Sequence, residues 1–474
     1  MLAWSGSQLL SEASTDVRDK RLESFGMNHP SPLISFGALW WGLREAPSTI
    51  LSRDDVDILQ QYGITLTLQA NYPLVKPRIY QSNSPLRRLT AKEPSNPNVI
   101  LLFVEGMSAR SIEVYGTRYA GLTPNLVKFA NRSIVVDNYW SHTAASYRGM
   151  KGQLCSLYPL HDDAKSPGAN DPSYSASYYC LPHLFSEAGY YSQFINAHET
   201  STSYLDEMMP ALGFDTTLSA EVLSRRYLRS EKMARSGALS DHQFFRALSG
   251  VLKENSSARP GKPFFLSSYN LGTHAFLNVA HGEVKWGDGT NNALNTIHNF
   301  DHAFGEFWES FIRSPFADNT VVIVTSDHCH YTESTFVNAF DGEDYPKLFI
   351  DKIPLMVYLP GTASRIAYDA RNATSIDLAP TLAHMLQLPN GVNPWVGTSI
   401  FERDSRVIAD RGIAGYLDNN YIVGGLLPQH AFDLNNSVPE LRAVRRFFSF
   451  ISNVEISNRI WDPELRKSKI APDG

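Results

Sequence analysis

Two stretches constrain the fold more than any others. Asn98-Val-Ile-Leu-Leu-Phe-Val104 and Thr320-Val-Val-Ile-Val-Thr-Ser326 are apolar almost without interruption and too short for helices. A strand with one wet face alternates polar and apolar residues. A run with no polar face belongs to a strand covered on both sides, as in parallel sheets flanked by helices. Further strands are expected at Ser133–Trp140, Tyr190–Ile195, Pro263–Tyr269 and Ile353–Leu359. Helices are expected from Thr123-Pro124-Asn125 to Ala130, and over Leu181–Ala188, Asp241–Lys253, Asn295–Ile312 and Ile376–Leu388. Strands alternating with helices predict a three-layer α/β domain with a largely parallel sheet.

The 474 residues suffice for one large domain with additions. A net charge of −6 gives no sign of a nucleic-acid surface. No apolar run approaches the roughly 20 residues that span a bilayer. The apolar segment Ile34–Leu43 is too short and too internal for a signal peptide. Residues 1–96 lack a period apart from a short helix at Asp54–Tyr62, and the proline-bearing segment Lys76–Asn96 reads as a strap across a surface. The expected organisation is an N-terminal extension (1–96), a catalytic domain (97–401) and a small C-terminal subdomain (402–474), in which Arg411–Leu427 would supply edge strands.

Both apolar strands end in hard or borderline ligands, Glu105 on one and Asp327-His328 on the other. In open α/β sheets, ligands bind beyond the carboxyl ends of strands, so these groups fall on one edge. A carboxylate-plus-imidazole set suits a divalent cation such as Mn²⁺ or Zn²⁺. A helix cap would explain Glu105 alone, and a polar turn would explain Asp327-His328 alone. The stretch Ser141–Leu160 begins with hydroxyls and small residues and continues into a run that can be helical. A hydroxyl at a helix start lies near unpaired N–H groups, where an oxygen nucleophile and its anionic target can be held, although serine is also an ordinary N-cap. Of the three cysteines, Cys155 and Cys180 could pair in an oxidising compartment; three reduced thiols fit the cytoplasm equally well.

These blocks, in order, resemble the sulfatase-like enzymes of the alkaline phosphatase superfamily, with the nearest likeness to the lipoteichoic acid synthase and phosphoglycerol transferase branch. The resemblance covers about residues 97–401. It rests on Asn98–Glu105, Leu122-Thr-Pro-Asn-Leu126, Ser156-Leu-Tyr-Pro-Leu160, Gly189-Tyr190 with Leu212-Gly-Phe-Asp215, Leu271-Gly-Thr-His274, Ser326-Asp-His328, and Ile353-Pro-Leu with Ile376-Asp-Leu-Ala-Pro-Thr381. It implies an alkaline-phosphatase-like sandwich. It also implies one divalent metal held by Glu105, Ser146, Asp327 and His328, with Mn²⁺ the first expectation and Zn²⁺ or Mg²⁺ the alternatives. Counting back from Ser156 places the nucleophile at Ser146, where transferases of the branch carry threonine; Thr143 is the runner-up. His274 would bind a phosphoryl or acceptor oxygen, and Arg148, Lys151 and His330 are candidate anion contacts.

The implied activity is transfer or hydrolysis of a phosphate ester on an envelope lipid or glycan, near a membrane. Ser146-Tyr147-Arg148-Gly149-Met150 lacks the Cys/Ser-x-Pro/Ala-x-Arg pattern that sulfatases convert to formylglycine, so a sulfatase is the second reading and a non-catalytic binding module the third. The arginine that the branch uses for glycerol phosphate is missing from Ser203-Tyr204-Leu205-Asp206; His198 and Tyr204 are candidate substitutes. Members of the branch have membrane helices before the catalytic domain, so either a soluble hydrolase or a portion of a longer membrane protein is expected. A Cys155–Cys180 bond is expected and would put the chain at the periplasmic or extracellular face of the envelope.

Overall fold

The computed structural model describes residues 51–62, 64, 66, 71–89, 96–143, 146–158, 178–200, 205–235, 237–340, 351–402, 414–415, 421–422, 439–456, 460–462 and 464. Eight strands form the main sheet: β1 (Asn98–Val104), β2 (Ser133–Trp140), β3 (Tyr191–Asn196), β4 (Thr216–Leu218), β5 (Phe264–Tyr269), β6 (Thr320–Ser326), β7 (Leu355–Tyr358) and β8 (Ile366–Thr374). Their order is β4-β3-β5-β1-β6-β7-β2-β8. Only β7 runs against its neighbours. The two apolar runs are thus adjacent, Val104 opposite Ser326, at the centre of the sheet.

Their lack of a polar face is explained by the layers. Val99, Leu101 and Phe103 of β1, with Val321 and Ile323 of β6, enter one core; Ile100, Leu102 and Val104, with Val322 and Val324, enter the other. Each fully buried aliphatic side chain contributes about 1.5–3 kcal/mol, so a polar residue at any of these positions would be costly. The first core is closed by the helices Ser146–Cys155, Leu181–Glu187, Leu205–Ala211 and Leu378–Met385. The second is closed by Pro124–Ala130, Ala220–Tyr227, Asp241–Ala258 and Asn292–Ile312. Asp301, on the last of these, accepts hydrogen bonds from the Asn125 (3.0 Å) and Leu126 (2.7 Å) amides and so caps Pro124–Ala130 from outside.

The strap is hydrogen-bonded to the segment that follows Leu378–Met385, with Tyr80 donating to Leu388 O at 2.5 Å and Asn390 Oδ1 accepting from the Ile79 amide at 2.8 Å. Lys76 and Asn393 exchange backbone hydrogen bonds of 2.7 and 2.8 Å, and Leu74, Val75, Tyr80 and Leu86 are buried in the first core. The helix Arg53–Gln61 packs on a C-terminal helix, Pro439–Ile456, through an Asp55–Arg446 ion pair. Within Arg411–Leu427, the described residues form only the two-residue ribbon β9 (Ala414–Gly415) and β10 (Tyr421–Ile422). These strands pair with each other and do not extend the main sheet, contrary to the expectation of edge strands. No helix among the described residues is long and apolar enough to cross a membrane.

Candidate active site

The site lies at the carboxyl ends of β1, β5 and β6. Glu105 follows β1, Asp327 and His328 follow β6, and all three are fully buried. Glu105 is held by its main chain: its N–H donates to Asn270 Oδ1 (2.9 Å) and its carbonyl accepts from Thr273 Oγ1 (2.6 Å). Asp327 Oδ1 accepts from the Gly106 (2.9 Å) and His328 (2.8 Å) amides. Ser326 ties the two strand ends together, donating to Val104 O at 2.7 Å and accepting from the Met107 amide at 2.8 Å.

Ser146 opens the helix that runs to Cys155, and its hydroxyl donates to Glu105 Oε2 at 2.8 Å. The helix approaches β6 this closely because two positions facing its neighbours are glycine. A Cβ on Gly149 would lie 2.8 Å from the carbonyl carbon of Asp327 and nearer still to the oxygen, and one on Gly152 would strike the His142 ring. Gln153, one turn on from Gly149, donates to Ser326 O (2.9 Å) and Asp327 O (3.0 Å). The helix is fastened at its far end by the Cys155–Cys180 disulfide, with a Cα–Cα distance of 4.0 Å. This bond fits an oxidising compartment.

On each acid, one oxygen is satisfied and the other is bare. Glu105 Oε1, Asp327 Oδ2 and His328 Nε2 are buried without a hydrogen-bond partner. The imidazole nitrogen lies 3.4 Å from the first and 3.5 Å from the second. Ligand atoms bound at about 2.0–2.2 Å around one tetrahedral ion stand roughly 3.3–3.6 Å apart, so the donor set fits a divalent cation. His328 Nδ1 meets the Cys329 carbonyl at 2.6 Å, which directs Nε2 at the cluster. Burial alone would raise the Glu105 pKa, but the His274 and His328 rings and the Tyr269 and Ser146 hydroxyls outweigh it and hold the group below its ordinary value. Burial and the neighbouring Glu105 charge push Asp327 up to about 7.

The other expected residues are distributed differently. His274 is half-buried; its Nδ1 meets the Ala275 carbonyl at 2.8 Å, and its ring lies 6.0 Å from Tyr331, which in turn lies 4.9 Å from His328. The His198 ring is parallel to Tyr269 at 6.3 Å. Arg148 and Lys151, equally readable as surface residues, are buried: Arg148 stands over the Tyr147 ring, and Lys151 donates to the Tyr178 hydroxyl at 2.8 Å. His330 turns inward, its Nδ1 at 2.9 Å from Gly106 O and its ring stacked on Phe336. Thr143 is buried, and its carbonyl accepts from Ser141 Oγ at 2.6 Å. Tyr204, like Ala144, Ala145, Pro159 and Leu160, lies outside the described residues.

Tyr269 is the main residue that sequence reasoning missed. It ends β5 opposite Phe103, and its hydroxyl hydrogen-bonds both Glu105 Oε2 and Ser146 Oγ, the latter at 3.2 Å. The rule that picked out Glu105 and Asp327, namely polar atoms at the carboxyl end of a buried strand, points equally to Tyr269 and Asn270.

Fold and cluster together define the class, an α/β enzyme with the architecture of the alkaline phosphatase superfamily. The chain belongs to the sulfatase family, whose model (Sulfatase) matches residues 97–388. It is 20% identical over 327 residues to lipoteichoic acid synthase 2 of Bacillus subtilis (strain 168), covering 66% of this chain and 48% of that protein. It is 23% identical over 248 residues to phosphoglycerol transferase I of Citrobacter koseri, covering 50% of this chain and 32% of the relative. The chain therefore spans about half or less of the length of these curated relatives. Among solved structures, an alkaline phosphatase superfamily protein from Vibrio parahaemolyticus aligns with a TM-score of 0.63 at 18% identity, over 86% of this chain and 97% of that one. A lipoteichoic acid synthase from Listeria monocytogenes aligns with a TM-score of 0.59 at 14% identity, over 86% and 98%.

Proposed function

We propose that this protein is a metal-dependent phosphoryl-group transferase or phosphodiesterase that works through Ser146 on a phosphate-ester lipid or glycan of the envelope. The observation that carries the reading is the Ser146 hydroxyl, 2.8 Å from Glu105 in the cluster whose bare atoms converge. A divalent cation held by Glu105, Asp327, His328 and Ser146, Mn²⁺ first among the candidates, would lower the hydroxyl pKa and neutralise phosphoryl oxygen charge. Ser146 Oγ attacks phosphorus, the bond to the leaving alcohol breaks, and its proton passes to that alcohol or to solvent. The phosphoserine is then opened by water or by an acceptor hydroxyl, which returns the serine. Glu105 Oε2 and the Tyr269 hydroxyl fix where Ser146 Oγ points before attack. His274 stands within electrostatic reach of Glu105 and is assigned to a phosphoryl or acceptor oxygen.

Residues 97–401 form the catalytic unit in this reading, and the outer face of the envelope is its location, supported by the disulfide. Sulfate esters are the disfavoured substrate because Ser146-Tyr147-Arg148 lacks the context for formylglycine. The relatives named for phosphoglycerol and lipoteichoic acid chemistry support phosphate over sulfate. The test compares rates on a nitrophenyl phosphodiester and a nitrophenyl sulfate, with mass analysis of the Ser146 peptide. Faster phosphodiester cleavage, an unmodified serine and no turnover in Ser146→Ala are expected. Faster sulfate cleavage, or a formylglycine mass, overturns the reading.

A further inference from the structure

Away from the active site, on the other face of the sheet, a second group of metal-ligating side chains stands where two helices meet. His242 lies in the first turn of Asp241–Ala258; His302 and Glu306 lie one turn apart on Asn292–Ile312, a spacing that puts both on one helical face. His242 Nε2 is 3.1 Å from His302 Nδ1 and 3.8 Å from Glu306 Oε2. Two nitrogens bound to one tetrahedral zinc at about 2.0–2.1 Å stand roughly 3.3 Å apart, so these separations need only small side-chain rotations, chiefly of the exposed Glu306. One ligand atom from each of the three residues falls within 4.8 Å of the others.

An independent observation concerns the far side of the His242 ring. Nδ1 is buried, makes no hydrogen bond and faces Glu283 Oε1 at 3.6 Å; Glu283 is itself fixed by a 2.9 Å hydrogen bond from Asn299 Nδ2. A carboxylate on this side favours the tautomer that carries the proton on Nδ1 and leaves Nε2 unprotonated. Closing to hydrogen-bond distance would give the outer support that metal-bound histidines usually have. A chance pairing of two surface histidines would not require it. His242 and Glu283 also line a cavity of about 280 Å³ with Arg246 and His281, which gives solvent access to this corner.

We infer that His242, His302 and Glu306 form a second divalent-cation site, of zinc type, with Glu283 as the orienting carboxylate and water completing the coordination. The ion joins the two longest helices of the second core and, through Glu283, the segment that follows His274. Asp241, beside His242, accepts from Asn270 Nδ2 at 2.9 Å, and Asn270 in turn accepts the Glu105 amide. The site therefore braces the support of the first cluster from behind. It stands on its own side chains and does not depend on the proposed reaction.

The probe is Zn²⁺ alone. The chain is stripped with chelator, reloaded at micromolar free Zn²⁺ and analysed for metal per chain. Two ions are expected in the parent protein, one in His302→Ala/Glu306→Ala and one in Asp327→Asn. Glu306→Gln alone serves if the double variant melts differently from the parent without metal. Glu283→Gln should weaken the second ion about tenfold in a chelator competition, and anomalous scattering at the zinc edge should place a peak between His242 and His302. Unchanged stoichiometry in the 302/306 variants, or a second ion that loads only at millimolar Zn²⁺, overturns the site.

Discussion

Gly149→Ala sets two well-understood effects against each other. In the middle of an exposed helix the substitution stabilises by about 0.8–1.0 kcal/mol, because alanine restricts the unfolded chain. Here the new methyl would sit 2.8 Å from the Asp327 carbonyl carbon, whereas non-bonded carbons approach to about 3.5–4.0 Å. The helix and the end of β6 must therefore separate by about 1 Å, and the obstacle is backbone rather than a side chain that could swing away. Overpacking of this kind costs typically 1–3 kcal/mol, and the rigid neighbour argues for the upper part. The net expectation is destabilisation by about 2 kcal/mol. Separation also pulls Ser146 from Glu105 and breaks the Gln153 contacts to Ser326 and Asp327. A 1 Å misplacement of reacting groups costs about 10²-fold in rate. Thermal melting and turnover of the purified variant measure both. A melting temperature equal to or above the parent's, with turnover retained, would refute the argument that close approach is what these glycines provide.

Three further outcomes are expected. Asp327→Asn should abolish metal binding at the first cluster and lower turnover about 10²-fold or more, as read by metal analysis and rate measurement; full activity would remove Asp327 from the site. Opening the Cys155–Cys180 bond by Cys180→Ser should cost about 3 kcal/mol in the chain-entropy estimate, measured by denaturant unfolding, and an unchanged midpoint would contradict it. Burial pushes Asp301 from 3.8 up to about 6, so the folded chain binds more protons than the unfolded one between those values. Its contribution to stability is then complete below about pH 4 and falls by about 3 kcal/mol as pH rises to about 6. Denaturation midpoints of the parent and of Asp301→Asn should diverge across that window, and parallel curves would refute the shift.

The elements readable from sequence are those whose pattern has one physical cause. β1, β2 and β6 fall where expected because their residues suit strands sandwiched or half-covered by helices. Asp241–Ala258 begins where Ser240 and Gln243 make a capping box. The predicted Asn295–Ile312 gains a turn because Asn291 caps the Leu294 amide. The predicted Ile376–Leu388 helix is shorter, Leu378–Met385, since Ser375–Asp377 form a 3-10 turn. What escaped notice depends on tertiary context. β8 carries Asp369 and Arg371 and is a strand only because β2 lies beside it. The helix Leu205–Ala211 contains Pro210, a breaker by composition, at its last turn. The ligand set was legible because strand ends announce themselves. The burial of Arg148, Lys151 and His330 was not, since adjacency to a motif does not say which way a side chain turns.

Other acids in this protein bear on whether Glu105 and Asp327 are caps or ligands. Asp301 spends both oxygens on its cap, Oδ2 on the Asn125 amide and side chain and Oδ1 on the Leu126 amide. Asp377 likewise takes the Thr374 amide on Oδ2 and the Thr398 amide on Oδ1. A bare oxygen on a buried carboxylate costs about 1–3 kcal/mol or more when charged; it also occurs at Asp241 Oδ2 and Glu221 Oε2, neither of which belongs to a group of converging metal-ligating side chains among the described residues. Glu105 and Asp327 each satisfy one oxygen and leave the other bare. The bare atoms lie on the same side as His328 Nε2, which is also unpartnered. What sets this point apart is that the bare oxygens fall together, burying two acids side by side with His328 Nε2 at 3.4 and 3.5 Å from them. Without a cation, burial and the Glu105 charge raise Asp327 to about 7, and the two acids raise His328 against the opposing effect of its burial. A dication held by these three residues would remove the repulsion, complete all three atoms and return Asp327 to its ionised form. The half-satisfied acids therefore argue for a cation at this point and against the helix-cap reading of Glu105.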